Sequence, residues 1–164
     1  MKLAILIVSD SRTAETDTSG RYLRQAATEA GHDVLAHQIV PDDISVIRAA
    51  LAQWQAGATV EAVLVSGGTG ITGRDVTPEA VEPLFTRALP GFGELFRWLS
   101  YADIGASTIQ SRACAGLIGT LLVFCLPGSQ GACRLAWEKI LRPQLDVTTM
   151  PCNFATLLPR LSET

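Results

Sequence analysis

Apolar residues along this chain follow two rhythms. Residues 3–8, 60–65 and 121–126 are nearly unbroken runs of aliphatic and β-branched side chains. A strand covered on one face alternates apolar with polar positions, so runs without alternation predict strands buried on both faces, as in a parallel sheet. Residues 33–40 predict another strand and residues 112–115 a short one. Between them the spacing turns helical. Tyr22, Leu23, Ala26, Ala27 and Ala30 share one face and stop at Gly31, a C′ glycine. Ile44, Ile47, Leu51 and Trp54 form a second stripe that Asp43 caps and Gly57 ends. Residues 78–89 carry Ala80, Val81, Leu84, Phe85 and Ala88, with Thr77 as N-cap, Pro78 in the first turn and Pro90-Gly91 as the break. A helix over 93–101 follows with Leu95, Phe96 and Leu99 inward and Trp98 on its flank, and another over 132–141 with Leu135, Ala136, Ile140 and Leu141 buried.

Strands alternating with helices predict an α/β fold: an open, mostly parallel, doubly wound sheet with helices on both faces in three layers. At 164 residues the chain reads as a single domain, 1–164, in which 143–164 form a surface tail. Ligands of such sheets bind outside the carboxyl ends of the strands, near the point where strand order reverses. That rule gathers four loops: Ser9-Asp10-Ser11, Pro41-Asp42-Asp43, residues 66–75 and Pro127-Gly128-Ser129.

The third of these is the most unusual stretch of the chain. Ser66-Gly67-Gly68-Thr69-Gly70 leads through Ile71-Thr72-Gly73-Arg74-Asp75 into the helix at Thr77. Glycines at this density let the backbone turn sharply and point several N–H groups at one centre, which suits a phosphate; they equally suit a tight turn that binds nothing. Residues 68–73 match the letters of a dinucleotide fingerprint, but the helix begins late and no strand ending in Asp or Glu follows, so a nicotinamide or flavin oxidoreductase is disfavoured. No Gly-Lys-Ser or Gly-Lys-Thr occurs, which excludes a P-loop.

The four loops bring together glycine backbone, the hydroxyls of Ser9, Ser66, Thr69 and Ser129, the carboxylates of Asp42 and Asp75, and the cation Arg74. Asp43 is taken by its helix cap, Asp10 either braces its own turn or joins the site, and Arg74 either meets a phosphate or pairs with Asp75. Two carboxylates beside a phosphate need a cation between them; magnesium, which takes one or two carboxylates plus substrate phosphates, fits best. No histidine is placed to act as base and no Ser-His-Asp set exists, so a nucleophile that is already anionic suits the site. A net charge of −3 without basic clusters argues against nucleic acid. The amino terminus lacks signal-peptide architecture and residues 113–126 are too short to span a membrane, so a cytoplasmic, soluble protein without a membrane partner is expected. Cys114, Cys125, Cys133 and Cys152 form no ligand pair and, with His32 and His37, are expected to serve packing. An apolar fraction of 48% suggests surface covered by further copies of the chain.

The chain resembles the MoaB and MogA proteins of molybdenum-cofactor biosynthesis over nearly its whole length. The resemblance rests on Val8-Ser9-Asp10, Pro41-Asp42, Ser66 to Gly70 with Arg74-Asp75-Val76-Thr77-Pro78, Pro90-Gly91-Phe92-Gly93-Glu94 and Leu126-Pro127-Gly128-Ser129. Glu15 to Gly20, Phe96-Arg97-Trp98, Ser107 to Arg112, Cys133 to Glu138 and Pro151-Cys152-Asn153-Phe154 resemble the MoaB branch in particular. The resemblance implies adenylyl transfer from magnesium ATP to molybdopterin, with Asp42 and Asp75 as catalytic, metal-holding carboxylates. It further implies phosphate or pterin contacts from Ser9, Ser66, Gly67, Gly68, Thr69, Gly70, Arg74, Pro127, Gly128 and Ser129. The alternative within the same pathway is a non-catalytic molybdopterin-binding or assembly protein. A homotrimer or homohexamer is implied, with residues 96–112 as candidate interface, and a downstream molybdate-insertion protein as a possible partner.

Overall fold

The computed structural model describes residues 1–163. Six strands form one open sheet in the order β2-β1-β3-β6-β5-β4. The strands are β1 (Lys2–Val8), β2 (Asp33–Val40), β3 (Ala62–Ser66), β4 (Arg87–Ala88), β5 (Cys114–Ile118) and β6 (Leu121–Leu126). The pairs β1–β2, β1–β3 and β3–β6 are parallel, whereas β5 and β4 close the sheet antiparallel. Helices α1 (Thr18–Glu29), α2 (Ile44–Gly57), α3 (Thr77–Val81), α4 (Pro90–Ile104) and α5 (Gln130–Ala136) connect and cover it. The unbroken apolar runs serve both faces. Leu3, Ile5, Ile7, Leu64 and Phe124 pack with Leu23, Phe96, Trp137 and Ile140 on one side. Ala4, Leu6, Val8, Val63, Val65 and Val123 pack with Ile47, Leu51 and Trp54 on the other.

The register fixes where the loops emerge. Val8 is opposite Val40, Ile7 opposite Ser66, and Ser66 opposite Leu126, so four strands end level with one another. The chain crosses from β2 back over β1 to β3, which makes the β1/β3 boundary the point of reversal. Beyond β6 the sheet turns antiparallel through the two residues Gly119-Thr120, Gly119 holding φ +62°.

Several expected boundaries shift. Asp43 caps α2 as foreseen, its Oδ1 accepting from Ser45 N and Val46 N, but the left-handed residue closing α2 is Ala58 rather than Gly57. The helix expected over 78–89 stops at Val81, tightens into a 3₁₀ turn at Glu82–Leu84 around Pro83, and gives way to β4. Pro90 starts α4 instead of breaking a helix, because proline needs no N–H partner in a first turn. Val76, not Thr77, is the residue before α3, and the buried Thr77 hydroxyl donates to Gly67 O at 2.8 Å. α5 runs on through a π turn, Trp137–Leu141. Cys125 and Cys133 are buried and Cys114 half-buried, as packing demands, but Cys152 is exposed. No described helix is long and apolar enough to cross a membrane.

Residues 143–164 differ most from expectation, since their described part is packed rather than draped. Leu145 and Ala155 are buried, and Phe154 lies 5.6 Å from the Phe124 ring. Asn153 is buried with its donors and acceptor used: Nδ2 donates to Thr149 O and Val147 O, and Oδ1 caps Thr156 N at 2.8 Å. Asn153→Ala strips these part-buried bonds from a buried side chain, so a loss of about 1–3 kcal/mol in unfolding free energy is expected in urea titration. An unchanged midpoint would mean that the segment adds nothing to the folded core.

Candidate functional site

A cleft of about 540 Å³ opens above the reversal point, walled by the ends of β1 and β3 and by the loops after β1, β2, β3 and β6. The structure brings every expected residue to it: Ser9, Asp42, Ser66 to Gly70, Arg74, Asp75 and Pro127 to Ser129. Asp10, left open by the sequence, is there too, and Arg12 is added. Against it lies a more apolar chamber of about 330 Å³, formed with Phe96, Ile104, Ala132 and Leu135. Thr69, Gly70, Pro127 and Ser129 belong to both.

The glycine-rich loop is shaped first by its own protein neighbours. Gly67 has φ +113° and a Cβ there would overlap the Val8 carbonyl oxygen; Gly68 has φ +62°. Gly67 N donates to Leu126 O and Gly68 O accepts from Thr77 N, both at 3.0 Å. The amides of Gly68 and Thr69 have no protein acceptor among the described residues, which leaves them for a ligand. Both carboxylates close on this loop: a Cβ on Gly68 would stand 2.8 Å from Asp42 Oδ1, and one on Gly70 would stand 2.7 Å from Asp75 Oδ2.

The two carboxylates differ in character. Asp75 Oδ2 accepts from Thr72 Oγ1 at 2.6 Å and Thr72 N at 2.9 Å, and the Thr72 hydroxyl above all holds the Asp75 carboxyl below the ordinary aspartate range. Asp42 has only the Asp10 backbone as a hydrogen-bonding group to draw its carboxyl down, and that is outweighed. Burial, then the charge of Asp10, push its carboxyl above that range, with Asp75 adding to the repulsion. Asp10 is drawn in from both sides, accepting from Asp42 N at 3.1 Å and pairing with Arg74 at 3.1 Å.

Four expected roles change in detail. Arg74 is 82% exposed at the rim and pairs with Asp10, not with Asp75. The Ser66 hydroxyl is buried beneath the cleft, 3.2 Å from Cys133 Sγ and 3.4 Å from Pro127 O. Its thiol neighbour is pushed up to about 11 by burial. Ser9 Oγ accepts from Ser11 N and Arg12 N, and Ser129 Oγ caps α5 at Ala132 N. These three serines therefore shape the walls. Sequence reasoning missed Arg12, whose guanidinium reaches Thr16 O and Thr18 Oγ1, and the buried Ser19, which donates to Gly128 O at 2.8 Å. Arg12 stands in no pattern, and Ser19 lies in the stretch from Glu15 to Gly20 with no local sign of its bond to Gly128. His37 is tied to buried Asp17 at 2.8 Å and His32 to the amino terminus, so neither lines the cleft.

The residues fit a magnesium ion bound together with phosphates rather than a self-sufficient metal cage. Among the described residues no group of three His, Cys, Asp or Glu could hold a metal by itself. Asp42, Asp75 and Asp10 nevertheless concentrate negative charge beside unpaired amides, and phosphates could enter that field only with a cation.

Comparison with known proteins places the chain in a family. Residues 4–147 match the family described as a probable molybdopterin binding domain. Molybdenum cofactor biosynthesis protein B of Escherichia coli K12 is 54% identical over 153 residues, covering 93% of this chain and 90% of that protein. The protein of the same name from Bacillus subtilis is 47% identical over 146 residues, covering 88% and 86%. A crystal structure of a molybdenum cofactor biosynthesis protein B superposes with TM-score 0.89 at 43% identity, covering 99% of this chain and 96% of the other. By sequence and by fold, the chain belongs to the probable molybdopterin binding domain family, alongside the molybdenum cofactor biosynthesis proteins B.

Proposed function

We propose that this chain works in molybdenum-cofactor biosynthesis, binding molybdopterin and transferring to it the adenylyl group of ATP with release of pyrophosphate. One observation carries the reading: unpaired loop amides and two unlike carboxylates face a polar cleft that shares a wall with an apolar chamber. The cleft suits the phosphates and the chamber suits a flat ring. The terminal phosphate of molybdopterin is an anion and needs no base, consistent with a cleft that no histidine lines. Its oxygen forms a bond to the α-phosphorus of ATP while the bond from that phosphorus to the bridging oxygen breaks, and the electron pair leaves with pyrophosphate. The chain's own task is to align these groups and screen their charge. Gly68 and Thr69 amides bind phosphate oxygens, and the Pro127-Gly128-Ser129 wall bounds the other side. Asp42 and Asp75 would hold magnesium, which supplies charge neutralisation on the phosphates.

Self-association belongs to the same reading. Leu95, Trp98, Tyr101 and Ile104 recur at three-residue spacing along α4 and are all exposed, Trp98 by 73%, with Ile109 beyond them at 83%. A second copy covering this patch would bury apolar area that a lone chain leaves in water. Sedimentation of the native chain is expected to give a trimer or hexamer, and Trp98→Glu a smaller species; identical masses would remove α4 from the interface.

The reaction itself is tested with magnesium ATP and molybdopterin, following pyrophosphate and the adenylylated pterin. Asp42→Asn and Asp75→Asn are each expected to lower turnover by about 100-fold or more while pterin binding survives. Native protein that binds the pterin yet forms no product would instead be a non-catalytic binding protein. In the metal-free chain the carboxyl resonances should separate: as pH falls, Asp42 takes its proton before Asp75. Because its folded pKa is raised, Asp42 favours the fold most when protonated, and that contribution is lost as pH rises through the folded value. Asp10→Asn removes a repelling charge and should move the Asp42 midpoint down; an unmoved midpoint would show that Asp10 does not act on it.

A further inference from the structure

Arg112 does not line the cleft, yet its bonds go to the loop that does and to the helix after it. Its amide donates to Thr69 O at 3.0 Å, Nε to Gly70 O at 2.6 Å and Nη2 to Asp75 O at 2.7 Å. Nη1 pairs with Glu79 in α3. The residue is held in turn from behind, since Arg97 Nη1 on α4 donates to Ser111 O and Ala113 O, its two neighbours, at 3.3 and 3.1 Å. We propose that Arg112 is a positioning residue, which fixes residues 69–75 so that the Asp75 carboxylate and the free loop amides act on the same phosphates. The kinetic part of this inference rests on the adenylylation reading; the loop-holding part rests on the geometry alone.

Two simpler roles fail. Arg112 is not placed as a phosphate ligand of the cleft, because it does not line it and its Nε, Nη1 and Nη2 each donate to a protein acceptor. Nor is it merely half of a surface pair with Glu79, because two of its guanidinium bonds reach main-chain carbonyls at either end of the loop. Those bonds complement the local one: Asp75 is tied to Thr72 by its side chain and to Arg112 by its main chain. A planar fork can serve acceptors in three directions at fixed geometry, whereas a lysine ammonium is a point charge on a flexible stem.

Arg112→Ala, Arg112→Lys and Glu79→Gln separate the possibilities, read by amide hydrogen exchange and by adenylylation over a range of magnesium concentrations. For Arg112→Ala, faster exchange is expected across 69–75 with β6 unchanged. Turnover should fall by about 10- to 100-fold, with a raised magnesium midpoint and a pterin KM within about threefold of native, and added methylguanidinium should restore part of the turnover. Arg112→Lys should fold normally and stay impaired, and Glu79→Gln, which leaves both carbonyl bonds, should be nearly native. Exchange that is unchanged, or faster everywhere alike, would overturn the proposal, as would unaltered turnover and magnesium midpoint in Arg112→Ala. If the native chain forms no product, the adenylylation reading fails separately, and exchange across 69–75 alone decides whether Arg112 holds the loop.

Discussion

Gly67 passes Val8 so closely that any side chain there would collide with the Val8 carbonyl, and its φ of +113° is open in practice only to glycine. This close passage follows from the sheet. With Ile7 opposite Ser66 and Ser66 opposite Leu126, the chain leaves β1, β3 and β6 at one level, and the emerging loops must share the same space. Gly128 completes the contact, a Cβ there standing 3.3 Å from Gly67 Cα. A larger residue at 67 would wedge these loops apart and carry the Asp42 and Asp75 carboxylates away from the amides between them. The cleft is therefore a consequence of parallel register met by small residues.

Charge then selects what can occupy that space. Amides pointing at a common centre favour an anion, but Asp10, Asp42 and Asp75 around the same cleft oppose one. The cations nearby do not resolve the conflict. Arg74 is exposed and spent on Asp10, a pair that contributes little in water, and Arg12 is directed to Thr16 and Thr18. Burial first, and then this repulsion from Asp10 and Asp75, raises the Asp42 carboxyl. An anionic ligand accompanied by a divalent cation satisfies both halves of the site, whereas a bare phosphate or a bare metal satisfies only one.

Much of this was legible in the sequence because strands buried on both faces leave unbroken apolar runs, and the ends of those runs locate the loops. All twelve expected site residues line the cleft for that reason. What the sequence hid were contacts between distant positions. The Ser66 hydroxyl looks like a ligand group until Cys133 and Pro127 are seen beneath it. Thr77 looks like a cap until its hydroxyl is found on Gly67 O. Pro90 reads equally as a stop or a start, and the two-residue β4 is too short to show any period. Arg112 and Arg12 are isolated arginines, with nothing local to separate them from solvated ones.

The antiparallel end of the sheet explains why Arg112 stands where it does. The parallel strands supply the loops that carry the cleft's groups, but flexible loops alone would leave Asp75 mobile on a glycine-rich tether. β5 and β6 are joined by two residues, so this hairpin needs only local contacts to set its register, and its outer strand begins just after Arg112. Arg97 fixes the same segment from α4. A locally determined element thus reaches across to brace the glycine-rich loop of the cleft, at carbonyls on both sides of its turn. Parallel strands gather the groups that meet a ligand, and the antiparallel hairpin sets how firmly one of them is held.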